Sequence, residues 1–334
     1  MCADTQTDTL HPGEPEFPLS LVRRLIATQF PRWAELPLAR VRSAGTSNVM
    51  YRLGGDMVVR LPRTPGAADD VHKEHQWLPR LAPALPVAVP EPLGLGTPDE
   101  GCPWPWSVYR WLDGNIAEPG TLTEPALLAR DLAHFVTALH RVDPADGPPA
   151  YRSEPLAARD GETRAAIAAL REVIDARAAT AAWDAALCAP PPPGPPVWIH
   201  SDLQPANLLL EHGRLNAVID FGCLGLGDPA VDLIVAWYVL PADGRARFHA
   251  ALETDPAPPA RPADRTGEAA WTRGRGWALS IALLELSYYR DRNPWMATVA
   301  RRVIDEVLDD AHRAAVPAGR GRREPDLAGP GPGR

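Results

Sequence analysis

The chain has 334 residues, 45% of them hydrophobic and 23% charged; this composition supports packed cores, excludes a mainly disordered chain, and at this length favours two lobes over one small module. Its net charge is −8 with no long basic run before the C-terminal end, so nucleic acid is not an expected partner. The four cysteines lack the paired spacing of a zinc site or disulfide framework, Met1 to Leu10 has no signal-peptide pattern, and no apolar run approaches the roughly 20 residues of a membrane span, so a cytoplasmic protein with no membrane partner is expected.

Residues 1–18 read as a flexible N-terminus. Leu19, Leu21, Val22, Leu25 and Ile26 then recur at helical spacing up to Pro31. Three short segments rich in valine and leucine follow as strands: Ala39 to Ser43, Val49 to Leu53 and Met57 to Leu61. Gly54-Gly55-Asp56 between the last two predicts a tight hairpin turn. Val71, His75, Leu78 and Leu81 predict a helix that Pro79 should kink or shorten. A further strand, Trp106 to Leu112, ends at Asp113-Gly114. Residues 19–113 thus form an α+β unit.

The region 114–316 reads as mostly helical. A helix is predicted from Thr123, the candidate N-cap, through Leu139, and a long alanine-rich one over about 156–187. Residues 189–196 hold six prolines in eight positions, a stiff spacer rather than core. Helices over 264–291 and 294–315 complete the region, with Asn293-Pro294 as a cap and first-turn signal. Residues 317–334, rich in Pro, Gly and Arg, predict a disordered tail.

The segment that carries chemistry is His200-Ser201-Asp202-Leu203-Gln204-Pro205-Ala206-Asn207, followed by Ile219-Asp220-Phe221-Gly222. It matches the H-x-D-L-x-x-x-N loop and D-F-G motif of kinases. Phosphoryl transfer needs a carboxylate beside the attacking hydroxyl, which Asp202 can supply, and oxygen ligands for Mg2+, which Asn207 and Asp220 can supply. Two alternatives compete: His200, Asp202 and Asn207 as a locally bonded buried turn, and a metal hydrolase using His200 and Asp202, for which no further partners appear nearby.

These motifs, together with Ala44-Gly45-Thr46-Ser47-Asn48, Trp106 to Gly114 and Gly227-Asp228-Pro229-Ala230-Val231-Asp232-Leu233, make residues 20–315 resemble the aminoglycoside phosphotransferase family, the small-molecule branch of the protein-kinase-like fold. The resemblance implies a small antiparallel-sheet lobe and a larger helical lobe. It also implies nucleotide contacts at Gly45, Thr46, Ser47 and Asn48, and adenine contacts at the backbone of Arg110 and Leu112. Trp106 and Trp111 read as packing residues. Asp228 can cap a helix that starts at Pro229, and Asp232 can reach back to brace the catalytic loop. Two positions depart from the family. Ser201 stands where glycine is usual, and Arg60 occupies the strand position of the kinase lysine.

The expected protein is a phosphotransferase that uses ATP or GTP with Mg2+ to phosphorylate a hydroxyl of a small molecule, an antibiotic or a metabolite. In it Arg60 holds phosphates, Glu74 holds Arg60, and the lone lysine, Lys73, points elsewhere on its helix. A nucleotide-binding regulatory module without turnover is the alternative. Glu285, Tyr288, Tyr289 and Asp291 share a helix that could line an acceptor pocket or be an ordinary core-plus-surface helix.

Overall fold

The computed structural model describes residues 14–41, 47–254 and 267–315. Gly45, Thr46, most of the expected N-terminal segment, the start of the helix expected from 264, and the expected tail lie outside them. The first helix, α1 (Leu19–Gln29), buries Leu21, Val22, Leu25 and Ile26, the predicted apolar face. It covers an antiparallel sheet of β1 (Leu38–Val41), β2 (Asn48–Leu53), β3 (Met57–Pro62), β4 (Pro92–Gly96) and β5 (Trp106–Arg110), ordered β1-β2-β3-β5-β4. β2 and β3 form the expected hairpin, with Leu53 opposite Met57 and Gly54 at φ 61°. Strand alternation in β3 sends Met57, Val59 and Leu61 into the core shared with α1, and Val58 and Arg60 to the opposite face.

The edge strand β4 was not anticipated, because a Pro- and Gly-rich segment has little strand propensity. It exists because its glycines admit aromatic rings. A Cβ on Gly96 would stand 2.0 Å from Trp106, and one on Gly94 2.8 Å from Phe30. Between the sheet and the helical part runs α2 (Pro65–Leu81), started by Thr64, whose hydroxyl accepts from the Ala67 N–H. Pro79 does not end it: the proline sits in the last turn, and α2 runs on to Leu81. Trp77 of α2 packs on Trp198 with ring centroids 4.7 Å apart, so this helix docks on both halves.

The remainder carries α3 (Pro125–Arg141), α4 (Asp160–Ala169), α5 (Ala176–Cys188), α6 (Val235–Tyr238), α7 (Ala242–Thr254), α8 (Glu268–Tyr289) and α9 (Pro294–Ala315). Short strands β6 (Asn115–Ile116), β8 (Leu208–Glu211) and β9 (Arg214–Val218) form one small sheet, and β7 (Val197–Ile199) pairs with β10 (Gly225–Gly227). Two expectations are corrected here. Thr123 does not cap α3; Glu124 occupies the cap position without a side-chain bond, and Pro125 opens the helix. The single helix expected over 156–187 is a 3-10 turn followed by α4 and α5. The chain folds back between them: Asp175 caps α5 through the Ala178 N–H, and Trp183 donates to Asp160 on α4 at 2.7 Å. Asn293 caps α9 as predicted, accepting from the Met296 N–H. No helix among the described residues is long and apolar enough to cross a membrane.

Candidate active site

β7 delivers the chain into the loop His200 to Asn207, and β8 leads it away. His200 is fully buried. Its Nδ1 accepts from the Asp202 N–H at 3.2 Å while its Nε2 faces the Ile219 carbonyl at 3.1 Å, so a neutral ring protonated on Nε2 satisfies both. The residue is a brace, not a ligand. Asp232, with no exposed side chain, accepts from the backbone N–H of His200 at 3.0 Å and of Ser201 at 2.8 Å. His140 of α3 reaches the same carboxylate at 3.0 Å. Asp228 caps the Pro229–Ile234 turn through the Ala230 N–H and pairs with Arg273 at 2.8 Å.

Ser201 is buried and holds φ 71°, the left-handed region where glycine is at ease. The next side chain, Asp202, is held on both oxygens. Oδ1 accepts from Arg152 at 3.2 Å and from Gln204 at 3.1 Å, and Oδ2 accepts from Asn207 at 3.0 Å. Asn207 also donates to the Asp202 carbonyl at 2.9 Å, and its own carbonyl accepts from the Ile219 N–H. That last bond sets the end of β9 beside the loop. Asp220 follows with φ 63°, and this strained turn aims its carboxylate back into the cleft.

Arg60 crosses from β3 to meet it. Its Nη2 lies 2.6 Å from Asp220 Oδ1, and its Nη1 lies 3.2 Å from both oxygens of Glu74 on α2. Burial opposes the Arg60 charge, but Glu74 and then Asp220 outweigh it and hold its pKa above the ordinary value. Tyr109 completes the set by donating to Glu74 at 2.6 Å; burial, then the Glu74 charge, pushes its phenol up. Lys73 faces elsewhere, paired with Asp70 at 2.8 Å.

A cavity of about 370 Å³ opens between sheet and loop, lined by Ser47, Asn48, Arg60, Arg110, Leu112, Asn207 and Asp220 among others. A smaller recess shares Ser47, Asn48, Arg60 and Asp220 with it and extends to Glu74 and Asp202. Every predicted site residue among the described ones therefore borders this cleft. Of the two tryptophans, Trp106 is fully buried in the sheet core, whereas Trp111 lines the cleft.

Two side chains that bond the catalytic loop, Arg152 at Asp202 and Glu285 at Gln204, have no part assigned to them in it by the sequence. Arg152 carries no sequence signal, being one of 33 arginines. Glu285 was noticed only as an acceptor-pocket candidate. Its Oε1 accepts from Gln204 at 2.6 Å and its Oε2 from Tyr238 at 2.7 Å. Burial foremost, aided by the Asp202 charge against those two bonds, pushes it up to about 7. On the same helix Tyr288 is exposed, as a surface position requires; Asp291, expected there too, is exposed in the turn beyond the helix end at Tyr289.

An antiparallel sheet over a helical lobe, with a carboxylate-bearing loop and a cation at their junction, defines the protein-kinase-like class of phosphotransferases. The model of the phosphotransferase enzyme family matches residues 39–277, and the chain belongs to that family. Comparison with curated proteins gives no significant match. Among solved structures, the GDP complex of aminoglycoside 2'-phosphotransferase-IIIa is 20% identical with a TM-score of 0.66, covering 86% of this chain and 98% of that one. The GDP and kanamycin complex of APH(2")-IIia is 20% identical with a TM-score of 0.63, covering 88% and 99%. Macrolide 2'-phosphotransferase MphH from Brachybacterium faecium is 24% identical with a TM-score of 0.55, covering 85% and 97%. These likenesses establish the two-lobed kinase-like fold.

Proposed function

We propose that the chain transfers the γ-phosphoryl group of ATP or GTP to a hydroxyl of a small molecule, an aminoglycoside- or macrolide-like antibiotic or a metabolite. The observation that carries this reading is the convergence of Asp202, Asn207, Asp220 and Arg60 on one cleft. The nucleotide base would lie against Arg110 and Leu112, in a hinge that joins an N-lobe of residues 19–113 to the helical lobe. Ser47 and Asn48, preceded in the sequence by Gly45 and Thr46, would face the phosphates.

Asp220 and Asn207 offer a carboxylate and a carboxamide oxygen, the hard donors that magnesium takes, so the residues present fit that ion. When bound there, magnesium would neutralise charge on the phosphates. Arg60 would bind the phosphates as a permanent cation, with Glu74 fixing its direction. Asp202 would orient the acceptor hydroxyl and take its proton as the new P–O bond forms, while the bond to the nucleoside diphosphate breaks.

Intact Asp202, Asn207 and Asp220 favour turnover over a purely binding role. The test is transfer from γ-labelled ATP and GTP to a panel of hydroxylated antibiotics and metabolites. Asp202→Ala should lower turnover at least about 100-fold, the usual worth of a positioned acid or base, and leave nucleotide affinity within about threefold. Near-normal turnover would end the reading.

A further inference from the structure

We propose that Arg152 is a positioning residue for phosphoryl transfer, holding Asp202 from the side opposite the nucleotide; this rests on the phosphotransferase reading above. Arg152 lies between α3 and the Leu156–Arg159 turn, fifty positions before Asp202. Its Nη1 donates to the carbonyl of Ser201 and to Asp202 Oδ1 together. No other side chain bonds the backbone of Ser201 and the carboxylate of Asp202 with one group among the described residues.

Two consequences follow from that double contact. The carbonyl of Ser201 leaves a residue in the left-handed region, a conformation a serine adopts at a cost. A buried cation on that carbonyl favours the one peptide orientation that keeps Asp202 directed at the cleft. On the carboxylate itself, Arg152 and Gln204 share Oδ1 while Asn207 takes Oδ2. The plane of the carboxylate is then set by donors on both edges, and loss of Arg152 removes the only charged one.

Arg152 lines neither the 370 Å³ cavity nor its recess, where Asn48, Arg60 and Asp220 stand. It can thus affect the reacting carboxylate without touching the donor nucleotide. Its side chain is 11% exposed; burial opposes its charge, but Asp202 foremost outweighs this and keeps it protonated. A guanidinium merely filling space would gain nothing from meeting Asp202, since a buried ion pair is a weak source of stability.

The experiment is single-turnover release of the labelled γ-phosphoryl group from ATP and GTP with Mg2+, to water or to the hydroxylated compounds of the panel above, with nucleotide affinity measured separately by titration. Arg152→Ala should slow release about 100-fold and change nucleotide affinity less than threefold. Added guanidinium at tens of millimolar should restore at least tenfold of that loss, while equal sodium chloride should not. Arg152→Lys, which keeps the charge and folds more readily than the truncation, should recover part of the rate. Release from Arg152→Ala at the wild-type rate overturns the assignment, as does parallel loss of nucleotide affinity in both variants, or a folded Arg152→Ala that guanidinium cannot rescue. A wild-type rate no higher than that of Asp202→Ala would sink the phosphotransferase reading and this assignment with it. A wild-type rate well above it that survives in Arg152→Ala sinks the assignment alone.

Discussion

Arg60 Nη2 and Asp220 Oδ1 stand 2.6 Å apart, joining residues 160 positions distant across the cleft. A lone guanidinium in so apolar a strand would carry a desolvation penalty of several kcal/mol; here Glu74 and Asp220 offset it. The pair also keeps Asp220 Oδ1 at the centre of the cleft, next to the place where phosphates would sit.

Nucleotide affinity should therefore follow Arg60 and not Lys73. Arg60→Ala is expected to weaken binding of a fluorescent nucleotide roughly 10- to 100-fold, in line with the loss of a charge-assisted contact, and Arg60→Lys to retain part of it. Lys73→Ala should cost less than about threefold, because that ammonium is engaged with Asp70 on α2 and a partly exposed pair contributes about 1 kcal/mol or less. An essential Lys73 beside a dispensable Arg60 would reverse the assignment.

Ser201→Gly should stabilise the protein by about 1 kcal/mol. Relief of a left-handed serine is worth about 1–2 kcal/mol, and its buried hydroxyl has no hydrogen-bond partner among the described residues; against this, glycine raises the entropy of the unfolded chain by about 0.5–1 kcal/mol. The urea midpoint should rise at unchanged slope. A fall would mean that the hydroxyl makes a contact worth keeping.

Glu285 should make stability depend on pH near neutrality. Its carboxyl is pushed from 4.5 up to about 7 in the fold. Between these values the native state holds a proton that the unfolded chain has released. The stability it contributes is thus present below about 4.5 and lost as pH rises towards 7. Glu285→Gln keeps the shape without the charge, so its stability relative to wild type should climb by about 2 kcal/mol from pH 4 to pH 8, a partly exposed site giving less than the full shift. Parallel urea profiles for the two proteins would refute this.

Gly96→Ala should destabilise by about 3 kcal/mol, the upper range for forcing atoms into a filled core. The added methyl would overlap the fully buried Trp106 ring, which is also anchored by its Nε1 bond to the Thr97 carbonyl. Pairing the change with Trp106→Phe should recover part of the loss by double-mutant analysis, and strict additivity would show that the two do not meet.

The sequence carried the site more fully than the fold around it. Fixed spacing in His200 to Asn207 and in Ile219 to Gly222 encodes chemistry locally, and alternation in β3 was enough to turn Arg60 into the cleft. What escaped depends on distant packing. β4 forms because Phe30 and Trp106 fill the space over its glycines, a reason invisible within residues 92–96. The break between α4 and α5 goes with their docking through Trp183 and Asp160; within the alanine-rich run its clearest local sign is Asp175, the cap of α5. Arg152 reaches Asp202 from fifty positions before it, and Glu285 reaches Gln204 from α8; no local pattern ties either to the catalytic loop.

Asp232 carries an implication for motion. A single carboxylate, fully sealed from water, ties the loop backbone at His200 and Ser201 to His140 on α3. Displacing the loop against α3 would strand that charge in an apolar interior, at a cost of about 3–5 kcal/mol. Substrate entry and product exit would therefore leave the proton-accepting carboxylate of Asp202 riding on the helical lobe as one body. Any travel would fall instead to the sheet, about the stretch that ends at Gly114, whose φ of 141° is open to glycine alone.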